Sequence, residues 1–210
     1  MRITHSLLLA FVLALAGSAH ASLITSDFLV AGDQLLATDT ATGLQWLTPV
    51  YTSNHSYDDS FVQSIITTYG FTYATEAQVL DMIDRNFNNP PLSPGDYTGY
   101  QDALEFFNVF GTPGSATCGD PAVPCPRIQG LTSTVTSAGT HDADGMIYVG
   151  TGDPSTVGYL ISQNAWPDTA HNVQMGSWLV RTATPEPASL TLAAIGMALI
   201  AARVRLRRRT

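Results

Sequence analysis

Residues 39–47 read Asp-Thr-Ala-Thr-Gly-Leu-Gln-Trp-Leu, in which a turn at 40–43 is followed by apolar and aromatic residues typical of a strand. Two earlier apolar segments, residues 28–30 and 35–37, flank another turn, so this region predicts a three-strand meander. Near the far end of the domain, residues 177–181 also have strand character. Helical patterns lie between these terminal segments. We therefore expect an α+β fold in which N- and C-terminal strands share one antiparallel sheet.

Three helices are predicted between the terminal strands. Apolar residues recur at helical spacing through residues 56–69. A second helix begins after Thr75, where Gln78 three residues later completes a capping-box pattern. A third is expected from Thr98, ending at Gly111, because glycine favours the backbone conformation that closes a helix. The remaining strands are predicted at residues 128–135, 146–149 and 157–161.

The first 21 residues predict a cleaved secretory leader. Arg2 precedes an apolar run at 7–16, and Ala19-His20-Ala21 supplies the small residues that a signal peptidase accepts. An uncleaved anchor is the alternative, but the run is short for a membrane span. We expect cleavage after Ala21, which leaves an exported globular domain over residues 22–182.

Residues 183–210 combine a proline-framed glutamate, an apolar run and a basic end. The run at 188–202 would be about 22 Å long as a helix, against roughly 30 Å for the hydrocarbon core of a bilayer. Arginine side chains can extend toward the headgroups, so a transmembrane helix over 188–206 is predicted. Because positive residues stay cytoplasmic, the domain would lie in the periplasm. The alternative, a buried helix of a soluble protein, would crowd five charges at one end: Arg203, Arg205, Arg207, Arg208 and Arg209.

This tail resembles that of the PEP-CTERM family of exported proteins. The match covers residues 184–210 and rests on Pro185-Glu186-Pro187, the apolar run, the arginine-rich end and the terminal position. Thr184 stands where family members often carry Val. The resemblance implies an inner-membrane-anchored precursor in a Gram-negative bacterium, recognised by an exosortase, and delivery to the cell surface or to the exopolysaccharide of a biofilm matrix.

The charge of the domain excludes one class of partner. The chain has nine arginines and no lysine, and only Arg85, Arg127 and Arg181 fall within residues 22–184. Three arginines against sixteen carboxylates give that segment a formal charge of −13. Nucleic-acid binding requires clustered basic residues, so we exclude it. The acidic surface is explained either by solvation or by oxygen ligands for divalent cations.

The two cysteines, Cys118 and Cys125, lie in a Pro- and Gly-rich stretch of the chain. In an oxidising exported compartment we expect a disulfide that closes this small loop. No further Cys or His stands close by in sequence at zinc-ligand spacing.

A second resemblance covers most of the domain but rests on three short patches. Residues 39–47, 70–79 and 176–181 resemble an exported module with a D-x-x-TGL-x-W-L opening, a G-[WF]-R-x-[AP]-T-x-x-E-[VL] helix start and a closing W-x-V-R strand. The module is similar to the C-type-lectin-like folds of formylglycine-generating-enzyme and Legionella-collagen-like C-terminal domains. Thr72 replaces the usual Arg, and Gln78 stands where Glu is usual. Such folds host binding and catalysis alike.

Few residues suggest chemistry. Asp142 and Asp144, followed by Gly145, are compatible with the start of a calcium loop, although a plain Asp-Gly turn is the favoured interpretation. Trp166, beside a proline, is the best candidate for an exposed ring that stacks on sugars, whereas Trp46 and Trp178 are expected in the core.

Two function classes follow from these patterns. The first is a noncatalytic exported protein with a structural or interaction role in the surface matrix. The second is a calcium-assisted glycan-binding module that uses Asp142, Asp144 and Trp166. His55 beside Asp58 and Asp59 is interpreted as a polar helix start. An enzyme is the least supported class, because the sequence does not assemble a nucleophile, a base and an orienting group.

Overall fold

A computed structural model describes residues 22–87, 97–98, 100–111, 117–118, 123–149 and 157–183. The predicted leader, the sorting motif and the predicted transmembrane helix lie outside these residues. Among the helices within the described ranges, none is both long and apolar enough to cross a membrane.

The first sheet joins the two ends of the domain. Its strands are β1 (Leu23–Ser26), β2 (Leu36–Asp39), β3 (Leu44–Leu47), β4 (Thr72–Tyr73) and β12 (Leu179–Thr182). They lie in the order β1-β2-β3-β12-β4 and pair antiparallel throughout. Trp46 of β3 stands opposite Val180 of β12. The α+β class and the sheet shared by N- and C-terminal strands are therefore confirmed.

The second sheet is built from the later part of the chain. Its strands are β5 (Tyr97–Thr98), β8 (Arg127–Ser137), β9 (Thr140–Val149), β10 (Val157–Pro167) and β11 (Met175–Ser177). They lie in the order β11-β8-β9-β10-β5, and only the β11–β8 pair is parallel. A separate hairpin pairs β6 (Thr117–Cys118) with β7 (Val123–Pro124).

The predicted strand at 177–181 is in fact two strands. β11 belongs to the second sheet and β12 to the first, and Trp178 lies between them. The backbone N–H of Trp178 donates to Leu131 O at 3.0 Å, and its carbonyl accepts from Ala74 N at 2.8 Å. Trp178 thus hydrogen-bonds to β8 of the second sheet through its N–H and to Ala74, directly after β4 of the first sheet, through its carbonyl. Because its two backbone groups bond to different sheets, β11 and β12 do not form one continuous strand.

The three predicted helices are present, with two later starts. They are α1 (Ser60–Tyr69), α2 (Glu76–Phe87) and α3 (Tyr100–Phe110); a short 3-10 helix spans Pro49–Thr52. α1 begins at 60 rather than 56, because the Asp59 carboxylate caps it by accepting from Phe61 N at 2.8 Å. Thr98, the predicted start of the third helix, lies in β5 instead, and α3 ends at Gly111, whose φ is 79°.

Residues 28–30 form a bend rather than the predicted strand. The Asp33 carboxylate accepts hydrogen bonds from the backbone N–H groups of Phe28, Leu29 and Val30 at 2.8–2.9 Å, so these groups are taken from a strand ladder. Desolvation acts to raise the pKa of Asp33, but the backbone hydrogen bonds outweigh it and hold the pKa at about 2. The meander's first strand is instead β1.

Both predicted core tryptophans are fully buried. Trp46 and Trp178 meet edge to face with ring centroids 6.0 Å apart. Around them pack residues of α2, α3 and both sheets, including Met82, Phe106 and Met146. This cluster lies between the helices and the sheets, and it fixes the position of α2 against β9.

Cys125 is completely buried directly after β7. In the hairpin, Cys118 stands opposite Val123 on the backbone ladder. The Cys118 side chain lies outside the described part of the chain, so the Cys118–Cys125 disulfide stays a prediction.

Candidate carboxylate site

Asp142 and Asp144 lie inside β9, not in a turn or a calcium loop. The hairpin that precedes them turns at 138–139, where Gly139 has a φ of 74°. In β9 alternate side chains point to opposite faces, so the two aspartates share one face with Met146. Met146 packs in the core cluster beside α2, and the aspartates therefore face the helices.

A third carboxylate, which the sequence did not single out, joins these two. Glu76, Asp142 and Asp144 each place a carboxylate oxygen within 4.8 Å of the others. Glu76 is the first residue of α2, and its backbone N–H donates to Thr134 Oγ1 of β8 at 3.0 Å. An acidic residue in the first turn of a helix is the only local signal, and it is normally explained by the helix dipole.

Burial dominates the electrostatics of this cluster. Asp142 and Asp144 are 1% and 0% exposed, and Asp142 Oδ1 accepts from the backbone N–H of Ala143 at 3.0 Å. Desolvation raises the pKa of Glu76, and the charge of Asp142 and a hydrogen bond to it act in the same direction. Glu76 therefore keeps its proton to a higher pH than an exposed glutamate would.

The chemistry of the donor set suits hard cations. Three carboxylates supply oxygen ligands only, which is the preference of calcium and magnesium, whereas zinc and copper sites normally contain His or Cys.

We expect Glu76→Gln to change the pH dependence of stability. Because the folded pKa of Glu76 is raised, its destabilising effect is absent below its ordinary value of 4.5 and develops as the pH rises through the folded pKa. The free energy of unfolding of Glu76→Gln relative to wild type should therefore rise with pH over this range. Urea denaturation from pH 4 to pH 8 measures it, with the exposed Asp58→Asn as control. A pH-independent difference would contradict this assignment.

Trp166 lies on the other face of the sheet. It stands opposite His141 in the β9–β10 ladder, one position away from Asp142. Its ring packs against a small cluster of Leu131, Ala143 and Met175, and it is only partly exposed. Because directly opposed residues share a face, Trp166 and the two aspartates cannot belong to one site. The predicted combination of calcium ligands and a sugar-stacking tryptophan is therefore not assembled.

The three histidines of the described residues each contact a polar group of a neighbouring residue. Asp168 binds His141, with Oδ1 and Nδ1 2.6 Å apart, while His171 Nδ1 lies 3.0 Å from Asn54 O. The Tyr57 ring stacks on His141 with centroids 3.7 Å apart. Burial, and then the Asp168 charge, raises the pKa of Tyr57. His55 contacts Asp59 at 3.1 Å, which agrees with the predicted polar helix start.

The residues on which the predicted module resemblance rests have structural roles in this chain. Asp39 is fully buried and accepts from Arg85 Nη1 at 2.8 Å and from Ala41 N at 2.9 Å. Thr75 and Gln78 cap α2 reciprocally: Thr75 N donates to Gln78 Oε1, and Gln78 N to Thr75 Oγ1. Gln78 thus performs the capping that the usual Glu would perform.

Comparison with known proteins identified no matching family model, no matching curated protein and no matching solved structure.

Proposed function

We propose that this is a noncatalytic exported protein that an exosortase sorts to the cell surface or the exopolysaccharide matrix, where the acidic domain has a structural or interaction role. The observation that carries the proposal is the joint occurrence, at the C-terminus, of Pro185-Glu186-Pro187, an apolar run and five arginines. A proline-framed carboxylate followed by an apolar helix and a cationic end is suited to a lipid bilayer and fixes its direction there.

The domain's architecture supports a C-type-lectin-like fold as part of this proposal. Terminal strands pair in one sheet, and helices and a second sheet are inserted between them. The three patches that resemble the exported module occupy positions in the core and at the capped helix, as expected of residues that maintain a fold.

The positions of the predicted residues do not support calcium-assisted glycan binding as the function. Asp142 and Asp144 gain a third carboxylate in Glu76, but Trp166 lies across the sheet from them. Two of the three carboxylates are also almost completely buried, so a sugar could not reach a cation held there.

Mass determination of the protein from cells with and without an active exosortase tests the sorting proposal. We expect a product ending near residues 185–187 only in the competent strain. Glu186→Gln should block this processing, whereas the exposed Asp58→Asn, which removes the same charge, should leave it intact. A full-length tail in both strains would overturn the proposal.

A further inference from the structure

A small cavity lies where β1 meets α2 and α3. Its volume is about 120 Å³. The lining residues come from the start of the domain and from the two helices: Ser22, Leu23, Asn86, Phe87, Glu105 and Val109. Ser22 is the residue that would become the N-terminus after the predicted leader cleavage. The end of the mature chain therefore borders a cavity that also contains a carboxylate.

Ser22 is held in place by its neighbour across the ladder. Its backbone N donates to Thr40 Oγ1 at 3.2 Å, and its carbonyl accepts from Thr40 N at 3.0 Å. These bonds extend the β1–β2 pairing by one residue and fix the Ser22 backbone beside the cavity that this residue lines.

The cavity offers one buried acceptor without a hydrogen-bond partner among the described residues, and one carboxylate. Asn86 donates through Nδ2 to Met82 O at 2.9 Å, which fixes the orientation of its amide, while its Oδ1 is buried with no hydrogen-bond partner among the described residues. Glu105 adds a carboxylate. A buried acceptor without a donor is costly, so a cationic donor placed here would be stabilised.

We propose that this cavity binds the protein's own mature α-ammonium group. The proposal rests on the leader cleavage within the proposed function. Hydrolysis adds water across the peptide bond between Ala21 and Ser22, which leaves a carboxylate on the released leader and a protonated amine on Ser22. In the precursor the Ser22 nitrogen carries one hydrogen, which Thr40 accepts. The ammonium carries three, and the two new donors serve Asn86 Oδ1 and the Glu105 carboxylate.

Leader cleavage therefore changes the stability of the folded domain. The charge pair and the filled acceptor exist only after the leader has been removed, so cleavage stabilises the packing of β1 against α2 and α3. The position of cleavage matters as well, because one extra residue before Ser22 would move the positive charge away from Thr40 Oγ1.

Because the chain contains no lysine, the pKa of the Ser22 α-amine can be measured selectively. In a chain running from Ser22 to Thr210, the α-amine is the only primary amine, so an amine-acylating reagent modifies that single site. The pH dependence of acylation of this chain in detergent gives the α-amine pKa, with the same chain unfolded in urea as the reference. We expect the folded protein to react at pH 7 about threefold to tenfold more slowly, since a carboxylate partner raises an amine pKa above its usual range of about 7.7–8.0.

Two variants test whether the Glu105 carboxylate causes the slower acylation. Glu105→Gln, which preserves the side-chain shape, should restore most of the unfolded reaction rate, whereas Asp58→Asn should not. Equal acylation rates in folded and unfolded wild type, or a slow rate that survives Glu105→Gln, would overturn the proposal. Failure of the leader cleavage itself has a different readout. The mass of the protein recovered from cells would then be that of the uncut precursor, whatever the acylation rate of the Ser22–Thr210 chain.

Discussion

Trp178→Ala should lower the free energy of unfolding by about 3–5 kcal/mol. Trp178 is fully buried, and its ring packs edge to face on Trp46 and on Phe110, with centroids 6.0 and 5.0 Å away. Its indole N–H donates to Asp144 O at 2.8 Å. Removal leaves a large cavity at the junction of the two sheets and takes away the indole donor to Asp144 O. Urea denaturation of the purified variant measures the loss as a lower midpoint at unchanged slope.

Trp166→Ala is the matched control for that experiment, because it removes the same side chain from a partly exposed position on the opposite face of the second sheet. Its cost should be clearly smaller. Trp178→Phe should fall in between, since it keeps an aromatic ring but loses the hydrogen bond to Asp144 O. If Trp178→Ala were no more destabilising than Trp166→Ala, the placement of Trp178 at the centre of the core would be wrong.

The helix ends were predictable because their signals are local. Thr75 and Gln78 cap α2 through contacts within a single turn, and Gly70 closes α1 with a φ of 70°. Gly111 closes α3 in the same way. Such contacts depend on residues three or four positions apart, and therefore on patterns visible in the sequence.

Gly145 shows why β9 was not predicted to its full length. The Asp-Gly pair at 144–145 has the composition of a turn, but here the glycine has another role. A Cβ at Gly145 would lie 1.9 Å from the carbonyl oxygen of Ile128, so the close approach of β8 to β9 requires a residue without a side chain. The neighbouring strand sets this requirement, and no pattern within residues 141–145 reveals it.

The carboxylate site was only half predictable for the same reason. Asp142 and Asp144 are close in sequence, whereas Glu76 comes from the other half of the domain and reaches them only when α2 packs on the second sheet. Their common face was also hidden, because a turn was expected where the chain forms a strand. Tertiary packing therefore decides which acids meet, and the strand formed by residues 140–149 places Trp166 on the opposite face of the sheet from Asp142 and Asp144.

Asp39→Ala should lower the free energy of unfolding by about 3 kcal/mol. The Asp39 carboxylate is completely buried at the end of β2 and accepts from Arg85 Nη1 at 2.8 Å and from Ala41 N at 2.9 Å. Its removal leaves the guanidinium without its buried partner and the turn before β3 without its acceptor. Because Arg85 is 26% exposed and also contacts Asp81, water and that second carboxylate recover part of the loss. Urea denaturation at pH 7 measures the difference.

Asp81→Ala provides the matched control, because Asp81 contacts the same guanidinium at 2.7 Å but is 65% exposed. An exposed pair contributes about 0–1 kcal/mol, so this variant should remain close to wild type. In the double variant Asp39→Ala/Arg85→Ala the combined loss should be smaller than the sum of the single losses, since neither partner is left behind. Equal effects of Asp39→Ala and Asp81→Ala would show that burial does not strengthen the Asp39 pair. The shape of the turn at 40–43 would then depend on Gly43, whose φ is 68°, rather than on this carboxylate.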